Sequence, residues 1–296
     1  MFSENLLILV SELAVLYGSD LFMVANNNTE GLNFEFTYSN LPFVIICVIG
    51  VALNVLLLIA FSKDPLKCFR NSGTYLVMNL SVADSLTCIF APFIHAMPKT
   101  NWYPVFEYFT LWSTFASLAS ILSVSIDRFI LVAFPIRHRI LVKGKVIVMW
   151  LAAAWTMSCA VPVLRLFCGP GRNFEIYKYA FCQTIITSSA VFYAFTYSKL
   201  KKQSRNIASQ NSNEGWAQEQ RVLKEKQFLK TIILIACIAF VCTMPSLFFF
   251  QIYGSLTLGQ DDLEKTFQKI FMCIFVINFA VNPFIYVVRL PNYRKT

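Results

Sequence analysis

The sequence has few charged residues, and it lacks the spacings of cysteine and histidine that are typical of metal sites. Of its 296 residues only 14% are charged and 57% are hydrophobic, with a mean hydropathy of +0.59. Water-soluble domains carry more charge. Two histidines and nine cysteines form no C-x-x-C or related pattern, which disfavours a zinc or iron site. The chain therefore belongs in a membrane, where the net charge of +9 does not indicate nucleic-acid binding.

The sequence contains many long stretches with few or no charged residues. A helix needs about 20 mostly apolar residues to cross a bilayer, and seven runs satisfy this. The predicted spans are about 41–62, 73–97, 105–133, 146–166, 179–200, 228–253 and 268–288. None shows the two-residue alternation of a barrel strand. The sequence therefore predicts an all-α membrane protein, a seven-transmembrane helix bundle over residues 41–290, with a tail at 1–40 and a short one at 291–296.

The basic residues predict the orientation of the chain. Of the 25 Lys and Arg residues, 19 fall on the side that becomes cytosolic if the N-terminus is outside, and residues 1–40 contain none. The positive-inside rule therefore makes the N-terminus extracellular. In that topology Asn27 lies in an exposed glycosylation sequon. The apolar patch at 5–24 is interpreted as part of the tail rather than a signal peptide, because Glu4 and Glu12 replace the usual positive charge.

Several polar residues occur where lipid should exclude them. Asp84 lies in the middle of the second span, where an isolated carboxylate costs several kcal/mol, so it is a functional candidate. The amides and hydroxyls at similar depth have an alternative role as hydrogen-bonding contacts between helices. Arg128 lies at the inner end of the third span, 21 residues after Glu107. An ordinary interfacial charge that reaches the headgroups is the alternative there.

Short motifs, in the correct order and in the correct spans, resemble those of rhodopsin-like (class A) G-protein-coupled receptors. Asp127-Arg128-Phe129 resembles the Asp-Arg-Tyr motif, and Asn282-Pro283-Phe284-Ile285-Tyr286 matches Asn-Pro-x-x-Tyr. Further matches are Gly50 to Asn54 in span 1, Asn79 to Asp84 in span 2, Trp155 in span 4 and Cys242 to Pro245 in span 6. The resemblance covers residues 41–296.

The resemblance implies a multi-pass receptor of the plasma membrane that couples an extracellular ligand to a heterotrimeric G protein. It assigns an allosteric sodium site to Asp84, Ser117, Asn278 and Asn282. It assigns the G-protein switch to Asp127, Arg128, Glu225, Tyr193 and Tyr286. The basic inner loops also suit anionic membrane lipid. No cofactor other than sodium is expected, and no enzyme activity, since paired acids and nucleophile–base pairs are lacking at matched depth.

Departures from the family pattern bear on the ligand. Tyr103 stands near the place of the usual disulfide cysteine, span 5 lacks its proline, and the second outer loop, roughly from Phe167 to Tyr177, is short. These features resemble the melanocortin, lysophospholipid, cannabinoid and adenosine branch. Thr110 replaces the aspartate of amine receptors, so a lipid, nucleoside-like or peptide ligand stays open. The predicted pocket residues are His95, Glu107, Thr110, Leu111, Thr243 and Phe248.

Three alternatives remain at this point. Cys168 and Cys182 either form a local disulfide or stay as two free thiols. Thr243 replaces the sixth-span tryptophan, which leaves open a receptor-like partner that does not signal. Asp84 with its neighbouring amides is also compatible with an ion-conducting or transport protein, although inverted repeats are lacking. Residues 291–296 would form only the start of a truncated eighth helix.

Overall fold

Helices account for the backbone throughout the part of the chain that can be described. The computed structural model describes residues 40–63, 72–96, 102–142, 144–168, 172–208 and 262–289. Of the sixth span and the segment before it, the structure describes residues 223, 233–234, 237–238, 240–245 and 248. The helices are Leu41–Lys63, Ser72–Ala96, Tyr103–Ala133, Pro135–Leu141, Gly144–Cys168, Arg172–Ala208 and Asp262–Arg289. We name the long helices by their span number and call Pro135–Leu141 the loop helix. No strand occurs among these residues.

Membrane-spanning character is clear in the longest helices. Among the residues that the structure describes, four helices are long and apolar enough to cross a bilayer, and Lys269–Pro283 in span 7 is a shorter apolar stretch. Side chains such as Val48, Leu56 and Met149 are more than half exposed. Apolar residues in these positions face lipid, because hydrocarbon tails solvate them as well as a protein interior does. The helices therefore form the predicted seven-transmembrane bundle.

The span 3 helix lies at the centre of the bundle. It contacts the helices of spans 2, 4 and 5 and the loop helix, whereas the span 1 helix contacts spans 2 and 7. The central apolar cluster joins Phe115 and Leu118 of span 3 to Ile185 and Ile186 of span 5 and to Met244 of span 6. The span 3 helix therefore contacts most of the other helices that the structure describes.

Two polar bridges lock helices together through the motif residues. Asn79 of span 2 donates to Ser120 Oγ of span 3 (2.6 Å) and accepts from the Trp155 indole of span 4 (2.7 Å). Asn54 of span 1 donates to the Gly50 carbonyl of the same helix (2.9 Å) and to the Phe279 carbonyl of span 7 (3.0 Å). Hydrogen bonds of this kind stabilise helix contacts in lipid, where no hydrophobic force between helices exists.

The span 5 helix is longer at both ends than the sequence predicts. Span 4 ends at Cys168 and the next helix begins at Arg172, so most of the stretch predicted as a loop from Phe167 to Tyr177 is helical. At the inner end the helix continues to Ala208, past the predicted limit near residue 200. Hydropathy marks where lipid ends, whereas a helix ends where its backbone bonding is interrupted, and neither extension contains glycine or proline.

Candidate functional site

A buried carboxylate in the middle of the bundle joins three helices. Asp84 of span 2 is fully buried and accepts hydrogen bonds from Ser117 Oγ of span 3 (2.5 Å) and from Asn282 Nδ2 of span 7 (2.8 Å). A carboxylate can only accept, and each of its oxygens here has one donor. The structure therefore brings together three of the four residues that the sequence assigns to a sodium site.

The fourth residue, Asn278, lies one turn before Asn282 and is also fully buried. Neither atom of its amide has a hydrogen-bond partner among the described residues, and the same is true of the side-chain oxygens of Asn282 and Asn54. Leaving a buried amide without a partner costs about 1–3 kcal/mol. These amide oxygens and the Asp84 carboxylate oxygens are of the type that coordinates a hard cation or accepts hydrogen bonds from ordered water. These side chains have the chemistry that a sodium site needs, and the sodium site itself stays a prediction.

An ion pair lies buried at the inner end of span 3. Arg128 donates to the carboxylate of its neighbour Asp127 at 2.5 Å, and the two side chains are only 7% and 0% exposed. Such burial excludes the alternative in which the pair reaches out to the headgroups. Gly73 of span 2 makes the burial sterically feasible, since a Cβ at that position would overlap the Arg128 guanidinium.

His138 of the loop helix completes this site, and sequence reasoning missed it. Its Nε2 atom lies 2.9 Å from Asp127 Oδ1, so the carboxylate has one oxygen facing Arg128 and the other facing the histidine. The loop helix begins at Pro135, a favoured first residue, which puts His138 one turn further on. Pro135 and the eleven-residue separation from Asp127 were visible in the sequence, but the turn of the chain at Phe134 was not.

The other residues assigned to the switch are only partly placed. Tyr193 of span 5 is buried and its hydroxyl donates to the Ile121 carbonyl at 3.4 Å, seven residues before Arg128 on span 3. Glu225 and the side chain of Tyr286 lie outside the described residues, as does Asn27 of the predicted sequon.

A cavity of about 400 Å³ opens between the outer ends of the helices. Glu107, Thr110 and Leu111 of the predicted pocket line it, together with residues of spans 1, 2, 5 and 7. Thr243 and Phe248 of span 6 are not among the described residues that line the cavity; Thr243 is buried and Phe248 is 54% exposed. Their place in a ligand pocket stays a prediction. The side chain of His95 lies outside the described residues.

The sequence left open whether Glu107 is paired and whether Cys182 forms a disulfide. Arg165 of span 4 forms an ion pair with Glu107, with Nη2 at 3.2 Å from Oε1, and both side chains are about one-fifth exposed. Cys182 is a buried free thiol, so the disulfide that the sequence allowed between Cys168 and Cys182 is not formed at this end; the side chain of Cys168 lies outside the described residues.

A lipid-facing helix bundle with an outer cavity, a buried mid-membrane carboxylate and a buried inner ion pair defines a seven-helix membrane receptor. The family model described as "7 transmembrane receptor (rhodopsin family)" matches residues 53–190 and 171–286. The chain therefore belongs to the rhodopsin family of seven-transmembrane receptors, and it is a G-protein-coupled receptor.

Similar proteins include receptors for different ligands. Melanin-concentrating hormone receptor 1 of Sus scrofa is 25% identical over 285 residues, which are 86% of this chain and 78% of the relative. Sphingosine 1-phosphate receptor 1 of Danio rerio is 24% identical over 278 residues, covering 86% and 75%. Somatostatin receptor type 4 of Rattus norvegicus is 22% identical over 280 residues, covering 86% and 70%. These identities do not select a branch, and the melanocortin, lysophospholipid, cannabinoid and adenosine assignment stays a prediction.

Proposed function

We propose that this receptor acts at the plasma membrane as a two-state switch in which release of Arg128 from Asp127 exposes the cytosolic site for a heterotrimeric G protein. The observation that carries the proposal is the buried ion pair at the inner end of span 3. Removing one partner of such a pair costs about 3–5 kcal/mol, because the other charge stays buried. Release of Arg128 therefore has to be coupled to movement of its neighbours, and the G protein would supply new contacts.

The resting state is the arrangement in which Asp127 is held from both sides. Arg128 contacts one carboxylate oxygen and His138 the other, and Gly73 lets span 2 approach closely. Glu225 would add a second acidic partner for Arg128 from the foot of span 6, with Tyr193 and Tyr286 closing around the arginine in the active state. This assignment rests on the motif resemblance.

The Asp84 cluster would control the same equilibrium from the middle of the bundle. Sodium would bind between the Asp84 carboxylate, the Ser117 hydroxyl and the amide oxygens of Asn278 and Asn282, and it supplies a positive charge that offsets the buried carboxylate. These residues belong to spans 2, 3 and 7. A cation bound between three helices favours the packing in which they are closest, so its loss would favour rearrangement.

The outer cavity is the proposed ligand site. The relatives include receptors named for a peptide hormone and for sphingosine 1-phosphate, which supports a peptide or lipid stimulus but not a choice between them. Anionic inner-leaflet lipid is a further partner, because basic residues concentrate on the cytosolic side. Nucleic-acid binding and enzyme activity are not part of the proposal.

G-protein activation in cells tests this function directly. Wild-type receptor and Arg128→Ala are compared at equal surface expression for basal signalling and for responses to lipid, nucleoside and peptide libraries. We expect a wild-type signal that Arg128→Ala weakens at least tenfold. Wild-type signalling from the variant would remove Arg128 from its role, and silence of the wild type with every G protein would favour a receptor that acts only as a partner of another.

A further inference from the structure

A second cavity lies between spans 3, 5 and 6, with a volume of about 520 Å³. We propose that it binds a sterol from the inner leaflet of the bilayer, an uncharged, flat and rigid apolar molecule with one hydroxyl group. None of the described residues that line this cavity also lines the outer cavity. The site is therefore distinct from the proposed ligand site, and the proposal goes beyond the proposed function.

The cavity is accessible from the bilayer. Phe240 and Val241 of span 6 line it and are 46% and 65% exposed, and Ala190 and Ala194 of span 5 are exposed as well. The sequence has no charged residue at 179–198 or at 231–250, so these exposed side chains belong to stretches embedded in lipid. A molecule dissolved in the bilayer can therefore enter between spans 5 and 6 without crossing water.

The lining of the cavity favours an uncharged occupant. Its described side chains carry no charge, and most are aliphatic or aromatic. Two buried hydroxyls are already used, since Ser189 donates to the Ile185 carbonyl at 2.9 Å and Tyr193 to the Ile121 carbonyl at 3.4 Å. An ammonium or a carboxylate would lose its hydration there without gaining an ionic partner among the described residues, which is strongly unfavourable.

The shape of the cavity favours a rigid occupant. Ala190 and Ala194 lie one turn apart on the same face of span 5, where their small side chains leave a shallow surface. Phe240 adds an aromatic ring from span 6. A flat ring system can pack against both, and it loses less conformational freedom on binding than a flexible acyl chain does. A volume of about 520 Å³ is within the usual range for small-molecule sites.

The inner end of the cavity provides a position for the sterol hydroxyl. Ile185 and Tyr197 line the two ends of the span 5 wall, and twelve residues of helix separate them by about 18 Å, close to the length of a sterol with its side chain. The Tyr197 side chain is 49% exposed, and Lys199 and Lys201 follow it at the inner membrane surface. A phenol is well suited to this depth, and its hydroxyl can donate to or accept from the sterol hydroxyl. The apolar tail would then lie near Ile185.

Photo-crosslinking of purified full-length receptor in phosphatidylcholine nanodiscs tests the proposal. The probe is cholesterol with a diazirine in its ring system, and mass spectrometry locates the adducts. We expect the adducts to concentrate at 185–197 and 237–241 and to disappear with a saturating excess of cholesterol. The other competitors are cholestene, which lacks the hydroxyl, and palmitate, which is a flexible anion. Cholesterol should compete at a concentration about threefold to tenfold lower than cholestene, as one added hydrogen bond would give.

Two variants assign the binding to this cavity. Ala194→Leu fills the shallow surface of span 5 and should lower labelling of the two segments about tenfold, whereas Ala153→Leu, at an exposed position of span 4, should leave it unchanged. Tyr197→Phe should remove the advantage of cholesterol over cholestene without changing competition by cholestene. Tyr177→Phe is its control, because that exposed tyrosine lies at the outer end of the same helix. The loss of a single hydroxyl at an exposed position leaves the packing of the bundle intact.

Adducts spread evenly over the lipid-facing helices, or adducts that excess cholesterol does not remove, would overturn the proposal, because bulk bilayer sterol labels a protein in that way. Stronger competition by palmitate than by cholesterol would overturn the assignment of a sterol. Unchanged labelling of Ala194→Leu, or a cholesterol advantage that survives in Tyr197→Phe, would equally contradict it. None of these measurements involves a G protein, so their outcome is independent of the proposed function.

Discussion

Replacing Gly73 by alanine should activate this receptor without a ligand. The new Cβ would overlap the Arg128 guanidinium, and the atoms in the way are at the far end of a flexible side chain. The arginine head therefore moves, while the backbone of span 2 stays in place. This movement separates the Arg128 guanidinium from the Asp127 carboxylate; Arg128 Nη2 and Asp127 Oδ2 are 2.5 Å apart in the resting arrangement.

The size of the effect follows from the contact that is lost. A hydrogen bond between charged groups contributes about 1.5–3 kcal/mol, and each 1.4 kcal/mol changes an equilibrium about tenfold. If the active state holds about 1% of the molecules, its share would rise to between roughly 10% and 60%. Alanine also favours a helix over glycine, by up to about 1 kcal/mol, so poorer folding of the span 2 helix is not expected.

Basal G-protein activation, normalised to the number of receptors at the cell surface, measures this shift. Gly144→Ala is the matched control, because a Cβ there would meet no atom within 4 Å. The double variant Gly73→Ala with Arg128→Ala should lose the gain, since the released arginine is the group that contacts the G protein. Normal expression of Gly73→Ala with wild-type basal activity would refute the role assigned to the buried pair.

Three other perturbations have defined outcomes. Trp155→Phe leaves Asn79 Oδ1 without its donor and should cost about 1–3 kcal/mol of stability, seen as a lower thermal midpoint. His138→Phe removes a contact to Asp127 and should raise basal signalling several-fold, whereas His138→Gln, which can still donate, should do so less. Asp84→Asn should abolish the rise in thermal midpoint that added sodium chloride, compared with choline chloride, gives the wild type.

Controls distinguish these effects from general damage. Trp102→Phe changes an exposed tryptophan and should leave the thermal midpoint unaltered. An unchanged midpoint for Trp155→Phe would show that the bridge to span 4 contributes little. Equal basal signalling from both His138 variants would mean that the hydrogen bond between His138 and Asp127 does not stabilise the resting state. A sodium response that persists in Asp84→Asn would place the cation elsewhere.

Much of the candidate site could be predicted because burial of charge in lipid is costly. Asp84 was identifiable from depth alone, whereas Arg128 was singled out only by its motif. The resemblance also supplied the partners Ser117, Asn282 and Asp127. His138 could not be found in this way. It lies in a polar connection beyond the span, where a histidine is not costly and carries no signal.

The outer cavity shows the same limit. Glu107 and Thr110 were predicted from the positions that they share with the receptors that the sequence resembles, and both line the cavity together with Leu111. Lys178 of span 5 also lines the cavity and was not predicted, because its position there depends on how span 5 packs against span 3.

The sequence by itself determined the number of membrane spans, their orientation and the depth of the polar residues within them, because lipid penalises charge wherever it lies along the chain. Only the tertiary structure decided which residues meet: Arg165 with Glu107, His138 with Asp127, and Gly73 with Arg128. The free energy that burying a charged side chain costs depends on that residue alone. A hydrogen-bond or ion-pair partner lowers this cost, and such a partner is often distant in the chain and is brought near only by packing.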